Sequence, residues 1–93
     1  MKIIRHVCPG IVEENLQILT GPGNGILHIN RIKGEDYYIE FFNADGRIII
    51  SCNFPSYMKS RAFDLNKYDG NEYTIRVSNQ GEEGECLYRV FKY

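Results

Sequence analysis

The sequence predicts an all-β fold, an immunoglobulin-like antiparallel β-sandwich of about seven strands in a single domain spanning residues 1–93. Three observations predict it. Gly and Pro punctuate the chain at short intervals, at Pro9-Gly10, 21–25, Gly34, Asp45-Gly46, Pro55, Asp69-Gly70 and 81–84. The pieces between these breaks run to roughly 5 to 10 residues, which suits strands and is short for helices. β-Branched and aromatic residues fill them, and no window holds apolar residues at i, i+3, i+4 and i+7 over three turns.

The expected strands cover residues 2–7, 12–20, 26–32, 37–42, 47–53, 73–78 and 86–92, with a further short one near 63–65. Residues 12–19 have a helical rival, since Val12, Leu16 and Leu19 would share a helix face. The strand is favoured because Leu16 and Ile18 alternate with Gln17 and run into a Gly-rich turn. Alternate side chains share a face of a strand, so Leu27 with Ile29, Ile39 with Phe41, Ile48 with Ile50, and Tyr73 with Ile75 and Val77 form the expected buried rows. Two facing sheets about 10 Å apart bury such rows in a sandwich. A small closed β-barrel would bury them too, and periodicity does not separate the two.

Composition narrows the function classes. A chain of 93 residues with 43% hydrophobic and 25% charged residues builds one modest core. Eleven basic residues against twelve acidic ones give a net charge of −1, with no basic block to neutralise phosphate, which disfavours nucleic acid and anionic membranes. The isoleucine triplet at 48–50 is the longest purely aliphatic run, far below the ~20 residues of a membrane span. Arg5 and His6 interrupt the amino terminus before an apolar signal core forms. The chain is therefore expected in the cytoplasm if Met1 is its native start, and secreted or periplasmic if a leader has been removed.

Few residues of the chain could carry chemistry. Cys8, Cys52 and Cys86 are odd in number and widely spaced, so at least one is free or pairs with another chain. Each is expected as a buried structural thiol in preference to a metal ligand, although His6 and Cys8 would share a strand face. The two histidines, His6 and His28, leave a cysteine nucleophile as the weakest reading, and His28 is expected to face solvent. The stretch 81–85 concentrates three carboxylates, which reads as a solvated hairpin tip and not a calcium loop. The Gly-rich 21–25 lacks the Lys and Ser or Thr of a phosphate-binding loop and reads as a turn. No catalytic residue, metal ligand or cofactor is assigned.

Aromatic residues are the remaining resource, with seven Tyr and five Phe. If Ile39 and Phe41 point inward, Tyr38, Glu40 and Phe42 point outward side by side. Such aromatics beside a carboxylate stack on sugar rings or anchor a protein partner, unless a second layer, a dimer or a loop covers them. Tyr57, in Tyr57-Met58-Lys59-Ser60-Arg61 after Pro55, adds an aromatic to the longest connection, which is either a binding loop or an ordinary crossover between sheets.

The stretches 38–49 and 63–77 carry a resemblance. Tyr38-Ile39-Glu40-Phe41-Phe42-Asn43-Ala44-Asp45-Gly46-Arg47-Ile48-Ile49 resembles the strand, Asp-Gly turn and strand of small Bacteroidetes β-sandwich domains, the DUF3244 family and the C-terminal sorting domains of the Por (type IX) secretion system. Residues 63–77 are similar to those families in their Leu, spacer, Gly, aromatic and alternating strand. The resemblance implies a non-enzymatic envelope or secreted module, with no catalytic residues to carry over. With no cargo domain expected ahead of the stretch, the scaffold is expected without the sorting role. The expected function is a non-catalytic binding module, making a protein contact or self-association through the outward aromatic face or an edge strand. A small glycan-binding module is the alternative, and a cysteine-dependent enzyme comes third.

Overall fold

Alternating strands of this kind must bury one face each, and they do so here in two antiparallel sheets. The computed structural model describes residues 1–7, 15–21, 25–79 and 85–92. The described strands are β1 (Lys2–Val7), β2 (Leu16–Thr20), β3 (Ile26–Arg31), β4 (Tyr37–Phe42), β5 (Ile48–Phe54), β6 (Ser60–Asp64), β7 (Glu72–Ser78) and β8 (Glu85–Phe91). One sheet runs β1-β8-β7-β4-β5 and the other β2-β3-β6. No described strand pairs across the two sheets, so the arrangement is a sandwich and not a closed barrel. β3 pairs with β6 as strands B and E of an immunoglobulin domain do, β4, β7 and β8 stand as C, F and G, and β5 extends the sheet as C′.

The inward rows are those that alternation predicts for β3, β4 and β7. Leu27, Ile29, Ile39, Phe41, Tyr73, Ile75 and Val77 are all fully buried. Cross-strand pairing keeps them in register, with Ile39 opposite Val77 and Phe41 opposite Ile75. Phe41 then reaches across to the other sheet and packs on Phe63 at 4.7 Å between ring centroids. Each such aliphatic or aromatic burial is worth roughly 1.5 to 3 kcal/mol, which is how a small domain offsets its ordering entropy.

The hairpin from β4 to β5 is fixed locally. Asn43 Oδ1 accepts from the amides of Asp45 (3.0 Å) and Arg47 (2.9 Å), and Gly46 takes a positive φ of 83° that its missing Cβ permits. At the start of β7, Tyr73 plays the corner tyrosine of this fold. Its hydroxyl lies within 2.8 to 3.2 Å of the carbonyls of Tyr68, Asp69 and Gly70, so the turn is clamped to the strand that follows it.

Several expectations need correction. Eight described strands replace about seven, because the spacer near 63–65 holds a full strand, Ser60–Asp64, followed by a 3-10 turn, Leu65–Lys67. Asp64 caps that turn by accepting from the Asn66 amide at 3.0 Å. Leu16–Thr20 is strand, while residues 12–14 lie outside the described residues. Ile48 and Ile50 do not share a buried row. The register slips between Phe41 and Phe42, so Ile50 faces Phe41 while Ile48 faces Phe42, and Ile49 is the extra residue of a bulge. Ile48 is consequently 53% exposed.

The cysteines also differ from the expectation of buried thiols. Cys86 is buried but disulfide-bonded, and Cys52 is a free thiol only half-buried, on a strand that pairs on one side only among the described residues. Cys8 and the side chain of His6 lie outside what the structure describes, as do residues 80–84 of the acidic tip and 22–24 of the Gly-rich turn.

Candidate functional site

The outer face of the five-stranded sheet carries three of the four predicted residues, because β4 points Tyr38, Glu40 and Phe42 away from the core. Pairing sets their neighbours. Tyr38 lies between Asn53 on β5 and Ser78 on β7, Glu40 between Ser51 and Arg76, and Phe42 between Ile48 and Thr74.

The centre of this face is closed by charge. Arg76 donates to Glu40 Oε1 through Nε (2.8 Å) and Nη2 (2.6 Å), and its guanidinium lies 5.1 Å from the centroid of the Phe42 ring. Hydrogen bonding to Glu40 raises the Arg76 pKa further, against a smaller opposing effect of burial, so the guanidinium stays charged. Glu40, expected to be exposed, is only 7% accessible because Arg76 covers it. The expected open aromatic stripe is therefore two separate ends, with Phe42 capped at one and Tyr38 accessible at the other.

The Tyr38 end is the more open. Tyr38 is 39% exposed and Tyr57 is 82% exposed. Two clefts meet there and share Asn53. One, about 310 Å³, is lined by Asp36, Tyr37, Asn53, Pro55 and Tyr57. The other, about 340 Å³, is lined by Tyr38, Asn53, Ser78 and Asn79.

The loop that carries Tyr57 is held by Arg31 at the end of β3. Arg31 donates to the carbonyls of Met58 (Nε, 2.9 Å), Glu35 (Nη1, 2.6 Å), Phe54 and Pro55 (Nη2, 2.8 Å each). Its guanidinium lies 4.6 Å from the Phe54 ring centroid. Met58 N donates to Pro55 O at 2.9 Å, Asp36 Oδ1 accepts from the Ser56 amide at 2.6 Å, and Asn79 donates its side-chain amide to Glu35 Oε2. The crossover between sheets is thus a braced turn with its tyrosine projecting outward.

Other predicted chemistry is not brought together. His28 is half-buried on β3 in the three-stranded sheet, packed beside Gly21, whereas Cys52 faces inward opposite Ile39 on β5 in the other sheet. Burial pushes the Cys52 thiol up from its ordinary value of 9.0, with Arg61 partly opposing. Among the described residues no three His, Cys, Asp or Glu side chains cluster to hold a metal ion. No helix of the described residues is long and apolar enough to cross a membrane.

Asp36, Asn53 and Asn79 join Tyr38 and Tyr57 at this end although sequence reasoning did not single them out for it. Only Asn53 had a readable signal, as the cross-strand neighbour of Tyr38, and that depends on the hairpin register.

Comparison with known proteins bears on the fold. No family model matches the chain, and no curated protein matches it. Among solved structures, the chain is similar to a DUF3244 family protein with an immunoglobulin-like β-sandwich fold from Bacteroides vulgatus, at a TM-score of 0.76 and 12% identity over 99% of this chain and 95% of that one. The likeness covers the whole sandwich. At that identity it is a likeness of fold.

Proposed function

We propose that the chain is a DUF3244-like, non-catalytic interaction module that accepts an extended, uncharged segment of a partner protein along the outer edge of β5. One observation carries this reading: β5 pairs only with β4 among the described residues, and its seven residues, Ile48–Phe54, include no charge and no proline. Natural sheets guard such edges with charges, prolines or short strands, since unpaired N–H and C=O groups invite a further strand. The other edges differ. β1 carries Lys2 and Arg5, β6 carries Arg61 and Asp64, and β2 is uncharged but only five residues long.

Packing supports the same edge. Ile49, Ile50 and Cys52 touch the core yet remain half-buried, so an added strand would complete their burial while its backbone satisfied that of β5. The absence of charge on β5 fits an uncharged partner segment, because a charged one would lose hydration without gaining an opposite charge. The disulfide at Cys86 fits an oxidising, extracytoplasmic setting, in which such bridges persist.

The test is amide hydrogen exchange of residues 48–54 with an uncharged, extended Ile/Thr heptapeptide carrying solubilising lysine tails. Slowed exchange confined to β5 and lost in Ser51→Lys is the expected result. Slowing with protein concentration alone would mean that a second copy occupies the same edge. Unchanged exchange under both conditions would remove the proposal.

A further inference from the structure

We propose that the two clefts sharing Asn53, at the end of β5 and on the outer face of the sheet instead of along its backbone edge, form a binding site for neutral carbohydrate. A pyranose presents a C–H face that stacks on an aromatic ring and a rim of hydroxyls that need paired donors and acceptors. The end of the five-stranded sheet supplies both. Tyr57 and Tyr38 provide exposed rings on either side, and Asp36, Asn53, Ser78 and Asn79 provide carboxylate, amide and hydroxyl groups between them. The side-chain amide of Asn53 makes no hydrogen bond among the described residues, so both its donors and its acceptor are open to a ligand that bridges the clefts.

Rigidity distinguishes this end from an ordinary exposed turn. Three hydrogen bonds from Arg31, to the carbonyls of Phe54, Pro55 and Met58, and one from the Ser56 amide to Asp36 fix the backbone on both sides of Tyr57. The ring therefore stands in solvent at 82% exposure on a braced loop, where it packs little of its own surface. A braced aromatic binds with little ordering cost, which is what a weak ligand such as a sugar requires.

Charge narrows the class. Among the described residues the lining includes the Asp36 carboxylate and no cationic side chain, and the nearby Arg31 already donates to four carbonyls. An anionic sugar would find no counter-charge. Volumes of about 310 and 340 Å³ each lie at the lower end of the ~300 to 1,000 Å³ of small-molecule sites.

The experiment titrates the folded protein, followed by backbone NMR, with maltotetraose, cellotetraose, xylotetraose and mannotetraose, and with sialyllactose as an anionic probe. At least one neutral probe is expected to give saturable shifts at Asn53, Tyr57 and Asn79 at about millimolar concentration. Tyr57→Ala is expected to weaken that binding by about tenfold while Tyr57→Phe keeps it within about twofold, since stacking needs the ring and not its hydroxyl. Tyr57 is too exposed for either change to unfold the domain. No shift with any neutral probe up to about 20 mM, binding that survives Tyr57→Ala, or tighter binding of sialyllactose than of every neutral probe would each overturn the proposal.

Discussion

Single side chains account for much of what alternation predicted and for where it failed. Ile39, Phe41, Ile75 and Val77 were legible because a period of two fixes their face once a strand is assumed. Glu40 was not, because its cover is Arg76, 36 residues away, and no local pattern announces a pair that only strand pairing creates. Ile48 failed for a different reason: the bulged residue Ile49 inverts parity within its own strand. Cys52 gives a residue-scale prediction. Burial raises its thiol pKa in the fold above the ordinary 9.0, so the protonated form is favoured and the thiolate fraction near neutral pH is lowered. The stabilising contribution is complete below pH 9.0 and is lost as pH rises through the folded value. Iodoacetamide alkylation of the native protein, followed by mass spectrometry against pH, should therefore inflect above 9.0, and the inflection should move down in denaturant. An inflection at or below 9.0 in the native protein would contradict this account.

At the scale of elements, the turn between β4 and β5 was legible in the sequence and the crossover from β5 to β6 was not. Asn43-Ala44-Asp45-Gly46 declared a hairpin because side-chain capping and a positive-φ glycine are local requirements, and both are present. The crossover from β5 to β6 looked like a spacer because the residue that braces it, Arg31, belongs to another strand. Removing that guanidinium strands the carbonyls of Glu35, Phe54, Pro55 and Met58 and uncovers one face of Phe54. Arg31→Ala is predicted to cost roughly 3 kcal/mol, given charge-assisted bonds that contribute about 1.5 to 3 kcal/mol each and do not add fully. For a domain of this size that is a fall in Tm of about 15 °C. Arg31→Lys should recover less than half, since an ammonium cannot span the fork. Calorimetry on the two variants decides it, and a loss of only a few degrees in the alanine variant would show that the loop is held by other means.

For the molecule as a whole, fold class was visible in composition and punctuation, whereas the identity of its edges was not, because strand order depends on pairings between residues distant in sequence. That order leaves sheets of five and three strands, and it puts β8 beside β1, near the terminus of the chain. A domain of 93 residues buries only about 60 to 65% of the surface its unfolded chain exposes, so its stability margin is narrow and a covalent link counts for more than in a larger protein. Cys86 sits on β8 among the buried residues with the Tyr88 hydroxyl 3.2 Å from its sulfur, and it is disulfide-bonded, whereas Cys52 is not. Reduction with a phosphine is therefore predicted to lower stability by about 2 to 4 kcal/mol through the freer unfolded chain. Cys52→Ser should leave that reductant effect unchanged, because Cys52 is outside the bridge. Paired urea melts with and without reductant measure the difference directly. A midpoint that does not move after Cys86 has become alkylatable would mean that packing around β8 alone holds this end of the sandwich.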